Sequence, residues 1–238
     1  MKGALYGIGV GIGDPEDMTL KAVRLIRESD VLILPHEDKS KCRAYQIARR
    51  MVPDIDGIET ITLECEMVKD MNVRRENHRK IYEIVKNETE KGKKVAILTI
   101  GDPALYSTYS YVAELARKDG IESYAISAVS SVTACANRLG ITLCDDKERM
   151  FVIPDVKELA EVLDLPGTKV IMKCGKAVKM IKDILKHRPV SVYAVADCGT
   201  DTEKLYRSLE ELPEDENYML TVIVKDNSDK WDQGGSNP

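Results

Sequence analysis

No apolar run in this sequence is long enough to cross a bilayer. Runs such as Val31-Leu32-Ile33-Leu34 and Val95-Ala96-Ile97-Leu98 fall far short of the roughly 20 residues that a spanning helix needs. A basic start followed by an apolar stretch and a cleavage site is also lacking, so the expectation is a cytoplasmic protein with no membrane partner. There is no excess of positive charge: the formal net charge is −5, which argues against nucleic acid as a partner. The basic stretches Arg74-Arg75 and Lys91–Lys94 read as solvated surface. Only three histidines occur (36, 78 and 187), none in HxxxH or HExxH spacing, and none of the six cysteines (42, 65, 135, 144, 174 and 198) forms a CxxC pair. No metal held by protein ligands is therefore expected, and free thiols of a reducing compartment are preferred to disulfides.

What is present is the balance of a globular protein, 43% hydrophobic and 32% charged. Short β-branched runs alternate with helical patterns. Strands are expected at 4–10, 31–34, 59–63, 95–100, 122–126, 150–153, 169–173, 191–196 and 218–224. Helices are expected at 19–29, 41–51, 72–91, 107–118, 130–138, 176–186 and 202–211, the first with Leu20, Val23 and Ile26 as its buried stripe. This alternation predicts α/β architecture with largely parallel sheets flanked by helices. A boundary is expected near Lys118, giving domains 1–118 and 119–225 and a polar tail over 226–238 that includes Trp231. Cys65 or Met67 is expected to pack inward after the third strand.

The first strand ends in LYGIGVGIGDPEDMTLKAVRLI, with glycine at 7, 9, 11 and 13. A dinucleotide site would need G-x-G-x-x-G. Starting at Gly7, the last required glycine falls on Ile12; starting at Gly9, it falls on Asp14. No Gly-Lys-Ser/Thr follows, so a Walker loop fails as well. Alternating glycines instead leave one face of the strand bare, either for a planar ligand or for a tight backbone crossing. A second loop repeats the theme, because strand 95–100 runs into Gly101-Asp102-Pro103, then Ala104-Leu105-Tyr106-Ser107-Thr108. Ligands of open parallel sheets sit at strand carboxyl ends, so the two loops suggest one crevice. Asp102 is open to two roles, capping the next helix or bonding a cationic ligand; Pro103 stiffens the loop.

The segments GIGVGIGDPEDMTLKA, GDPALYST and AVSSVTACANRLG resemble, in order and spacing, those of the tetrapyrrole (corrin/porphyrin) methyltransferases. The match runs to about Lys225. The opening loop, SKCRAYQIA and the YST after Gly-Asp-Pro are most similar to the branch that methylates C20 of precorrin-2 or cobalt-factor II in cobalamin biosynthesis. The resemblance implies a two-domain fold of mixed sheets flanked by helices, usually a homodimer, with S-adenosylmethionine in the cleft between domains. It implies cofactor contacts from Gly101, Asp102, Pro103, Tyr106, Ser130, Ser131 and Met172. It also implies a tetrapyrrole trough at Gly9, Gly11, Gly13 and Asp14.

Two departures stand out. Ile12 replaces the proline of the family's Gly-Pro-Gly-Asp loop, and Ser127-Ala128 replaces Pro-Gly, which would strain residue 128 if its φ were positive. Methyl transfer from a sulfonium needs alignment more than base catalysis, and no catalytic triad is visible. A carboxylate or phenol is wanted only for the departing proton, with Asp102, Tyr106 and Asp14 as candidates in that order. Against Tyr106 stands ordinary packing, and against Asp14 a plain capping role. His36 is a candidate to face the macrocycle or its cobalt. Lys39, Lys41, Arg43, Arg74 and Arg75 are candidates to pair with substrate carboxylates. Methylases acting at C11, C17 or on uroporphyrinogen III, and a binding module without turnover, remain as alternatives.

Overall fold

The computed structural model describes residues 3–63 and 70–226; the expectations for Cys65, Met67 and the tail beyond Asp226 lie outside them. The chain divides into two compact units, one up to Ser130 and one from Ser131.

The first unit holds β1 (Ala4–Gly9), α1 (Leu20–Arg27), β2 (Val31–Leu34), α2 (Arg43–Met51), β3 (Glu59–Thr62), α3 (Met71–Glu90), β4 (Lys94–Thr99), α4 (Thr108–Lys118) and β5 (Glu122–Ile126). All pairings in its sheet, ordered β3-β2-β4-β1-β5, are parallel. Successive strand residues alternate between faces. Ile8, Leu32, Leu34, Ala96 and Leu98 pack with α1 and α2, while Leu5, Val31, Ile33, Val95 and Ile97 pack with α3 and α4. Strands buried on both faces account for the continuous apolar runs.

β5 corrects the expected boundary near Lys118. It pairs with β1 from Ala4↔Glu122 to Ile8↔Ile126, so residues 119–130 belong to the first unit; the Lys-Asp-Gly after α4 is an ordinary helix-to-strand turn. The stripe of α1 is also corrected. Thr19 caps this helix, accepting from Ala22 N at 3.1 Å, and the buried side chains are Ala22, Leu25 and Ile26. Leu20 is 89% exposed, since Ile26 belongs to two candidate stripes and the packed one runs through residue 22.

On the α3–α4 face, His78 stacks on Tyr111 with ring centroids 4.5 Å apart. Burial, and then the charge of Arg74, push His78 below the ordinary histidine value. A histidine held low in the folded state contributes stability that is fully present above its unfolded value near 6.5 and is lost as pH falls from there through the lower folded value. Between pH 7.5 and 5 the urea midpoint of the wild type is therefore expected to drop more than that of His78→Phe; equal drops would refute this.

The second unit holds α5 (Ser131–Leu139), β6 (Met150–Ile153), α6 (Leu159–Val162), β7 (Thr168–Met172), α7 (Val178–Leu185), β8 (Val190–Ala196), β9 (Lys204–Tyr206) and β10 (Leu220–Asp226). Its sheet, ordered β6-β7-β10-β8-β9, is mixed: only β6 and β7 pair in parallel. Ile171, Val192, Ala194, Ala196, Val222 and Val224 pack with α6 and α7. The expected helix at 202–211 does not form. Lys204–Tyr206 completes the open edge of β8, and Tyr206 Oη donates to Glu216 Oε2 at 2.6 Å. Edge pairing and burial of Leu212 outweigh a local helical spacing. The short α6 was not anticipated.

Candidate active site

β1 and β4 lie side by side in the first sheet, and the chain leaves their carboxyl ends for opposite faces, toward α1 and toward α4. That reversal is the switch point at which open parallel sheets bind ligands. The two loops there are joined directly. Val10 N donates to Thr99 O at 2.9 Å and Gly101 N to Gly11 O at 2.7 Å, and Gly11 and Gly101 form an isolated antiparallel bridge.

The alternating glycines find their explanation in the chain's own packing. Gly7 and Gly9 share the strand face that carries Leu5 toward α4. A β-carbon on Gly7 would run into the Tyr109 ring. One on Gly9 would stand 2.6 Å from both Ala128 Cβ and Gly101 O. At Gly11, φ is +74 and Asp17 fills the side-chain space. This corrects the expectation of a bare trough at Gly9 and Gly11: their open faces are covered by protein. Gly13 is buried. Asp14 accepts from Glu16 N at 3.0 Å, capping the short 3-10 turn Pro15–Asp17, the structural role weighed for it.

The second loop is stitched from within. Leu105 N donates to Asp102 O at 3.1 Å, Ser110 Oγ to Pro103 O at 3.1 Å, and Ser107 caps α4 by accepting from Tyr109 N at 3.1 Å. Asp102 is therefore not the cap of the following helix. Its Oδ1 accepts from Ala104 N at 2.8 Å and its Oδ2 from Ala128 N at 3.0 Å. Ala128 is not among the residues of positive φ, so the strain expected from its replacing glycine does not arise. Gly101 has φ +74, and among the described residues no atom other than those of its chain neighbours lies within 4 Å of the position its β-carbon would take. Tyr106 has φ 49 and is 45% exposed. A bulky residue held left-handed costs roughly 1–3 kcal/mol, and such residues cluster at functional sites.

The remaining candidates are more dispersed. Ser130 ends the first unit and Ser131 begins α5 in the second. Met172 is buried at the end of β7, paired with Thr221. His36 follows β2, its Nδ1 accepting from Asp38 N at 3.0 Å, and none of the hydrogen bonds that join the loops involves it. Lys39 pairs with Asp56 at 2.9 Å and Lys41 with Asp38 at 3.8 Å. Arg43 opens α2, and Arg74 and Arg75 lie on α3.

Sequence reasoning missed Lys173 (φ 58) and Asp197 (φ 47), which follow β7 and β8 and mark strained turns in the second unit. Neither residue type announces a left-handed backbone. Among the described residues, no group of three or more His, Cys, Asp or Glu side chains is placed to hold a metal, and Cys42, Cys135, Cys144, Cys174 and Cys198 are free.

Comparison with known proteins gives this arrangement a context. The chain is 33% identical over 230 residues to a probable cobalt-precorrin-2 C(20)-methyltransferase of Methanocaldococcus jannaschii, covering 93% of this chain and 95% of that one. Among solved structures, a cobalt precorrin-4 methyltransferase superposes with a TM-score of 0.74 at 17% identity, over 93% of this chain and 94% of that one. A uroporphyrin-III C-methyltransferase from Thermus thermophilus, complexed with S-adenosylhomocysteine, gives 0.66 at 21% identity, over 93% and 97%. With the model of the Tetrapyrrole (Corrin/Porphyrin) Methylases matching residues 4–213, the chain belongs to that family.

Proposed function

We propose that this protein transfers a methyl group from S-adenosylmethionine to C20 of precorrin-2 or its cobalt form in cobalamin biosynthesis. The similarity to the C(20)-methyltransferase relative over nearly the whole chain carries the choice of position. S-adenosylmethionine is the methyl donor; when bound it supplies a sulfonium methyl and its own leaving group. The residues present suit such a ligand. Gly101 offers bare backbone with no non-adjacent atom of the described residues within 4 Å of its β-carbon position, and the strained Tyr106 stands exposed five residues on.

In this reading Gly101, Asp102, Pro103, Tyr106, Ser130, Ser131 and Met172 contribute cofactor contacts, and Gly13, Asp14 and His36 lie toward the macrocycle. The protein's main task is to align the reacting carbon and exclude water, which supplies up to about 7–11 kcal/mol of the barrier. Both oxygens of Asp102 are engaged by backbone amides, and Tyr106, in the same loop, is the other candidate for handling the proton released at the methylated carbon. The enzyme acts as a homodimer.

Anaerobic incubation with S-adenosylmethionine and precorrin-2 or its cobalt form, followed by mass spectrometry and NMR, tests the reading. One added methyl at C20 supports it; methylation at another carbon, or none, overturns it. Tyr106→Gly is expected to be at least as stable as the wild type, because the left-handed strain is relieved, yet to turn over at least tenfold more slowly. Melting curves and rates from one preparation check both halves.

A further inference from the structure

Asp102 carries a further role. Of the ionisable side chains at the switch point, its carboxylate spans two separate segments. Oδ1 holds Ala104 N, within its own loop, at 2.8 Å; Oδ2 reaches 26 residues along the chain to hold Ala128 N at 3.0 Å. Ala128 follows β5, which flanks β1 on the side away from β4. The carboxylate therefore ties the loop of β4 to the segment of β5 across the end of β1. What lies under that tie is Gly9, whose missing β-carbon leaves room for Ala128 Cβ, Gly101 O and Pro103 Cδ to converge. On the other side of the loop, Gly101 N is fastened to Gly11 O at 2.7 Å.

We infer that Asp102 is a positioning residue: its carboxylate clasps residues 127–130 to the Gly101–Tyr106 loop and so fixes the backbone that receives the adenosyl ligand, rather than taking a proton from the methylated carbon. Two backbone N–H donors, one on each oxygen, hold the carboxylate in its acceptor role. An amide at this position keeps one acceptor oxygen but turns an N–H₂ toward one of the two backbone donors, so Asp102→Asn breaks one half of the clasp. The identity of the ligand rests on the methyl-transfer reading; the clasp does not.

Two measurements on the full chain test it. In hydrogen exchange followed by mass spectrometry, peptides covering 127–130 are expected to exchange at least tenfold faster in Asp102→Asn than in the wild type. Unchanged exchange there would overturn the clasp whatever the ligand proves to be. In calorimetry with S-adenosylhomocysteine, Asp102→Asn is expected to bind at least tenfold more weakly, with KM for the donor rising by a larger factor than kcat falls and an unaltered pH profile. A kcat loss of a hundredfold with unchanged affinity and a shifted pH profile would make Asp102 a proton acceptor and sink the inference. Should Asp102→Asn fail to fold, Ala128→Pro removes the partner donor while leaving the carboxylate in place, and the same weakening of binding is expected; wild-type affinity in that variant overturns the proposal. Failure of the wild type itself to bind S-adenosylhomocysteine refutes the ligand, and hydrogen exchange still decides the clasp.

Discussion

Gly9→Ala is expected to lower the melting temperature by about 6–12 °C and to weaken S-adenosylhomocysteine binding at least tenfold. The added carbon would lie 2.6 Å from Ala128 Cβ and 2.6 Å from Gly101 O, closer than such atoms approach. Relief requires moving backbone on one side or the other. Overpacking of this kind costs about 3 kcal/mol at the upper end of its usual range, and at this chain length each kcal/mol moves the melting temperature by about 2–4 °C. The effect on binding follows because the groups that must retreat, Gly101 next to Asp102 and residue 128, lie on the two sides of the Asp102 clasp. Ala128→Gly in the same chain removes one of the two collisions and is expected to restore part of the stability. The pair should thus be non-additive by more than about 0.5 kcal/mol. A Gly9→Ala protein that melts within a degree of wild type and binds the ligand equally well would show that the loops are loosely packed, and the account of the glycine run would fail.

The second large effect lies in the other unit. The Lys169 side chain is 0% exposed, with Nζ 2.9 Å from Asp226 Oδ1. Asp226 also accepts from Gly167 N at 2.7 Å through its other oxygen, so one carboxylate secures the start of β7 and the end of β10. Lys169→Ala removes a buried chain, leaves a cavity and strips Asp226 of its cation. Breaking a buried pair from one side costs about 3–5 kcal/mol. Asp226 is a third exposed, so water answers part of its charge and the lower figure is expected. Lys169→Met breaks the same pair but keeps most of the volume, so it should cost less than Lys169→Ala by the cavity contribution. Guanidinium unfolding of the three proteins decides it: equal losses for Ala and Met would place the stability in the ion pair alone, and no loss for Ala would remove Lys169 from the core.

How much of this was legible beforehand depends on the range of the interaction responsible. Strands such as Val31–Leu34, Glu122–Ile126 and Met150–Ile153 have the expected bounds, because short β-branched runs carry their own signal. The failure at 202–211 shows the limit. Leu205, Leu209 and Leu212 have helical spacing, but the vacant edge of β8 is a partner no local pattern records. The boundary was displaced for the same reason, since nothing within 119–130 announces that β5 pairs with β1, over a hundred residues earlier.

The sequence by itself determined the α/β class, the exclusion of a dinucleotide or Walker loop, and the repetition of Gly-Asp-Pro after two strands. All of these rest on residue type at fixed spacing, which a linear chain carries intact. The tertiary structure alone decided what the glycines are for. A missing side chain is equally compatible with a ligand and with a neighbouring segment, and only the approach of Tyr109 and Ala128 chose the latter at Gly7 and Gly9. It likewise decided which donors Asp102 meets, since Ala128 N reaches its carboxylate from 26 residues away.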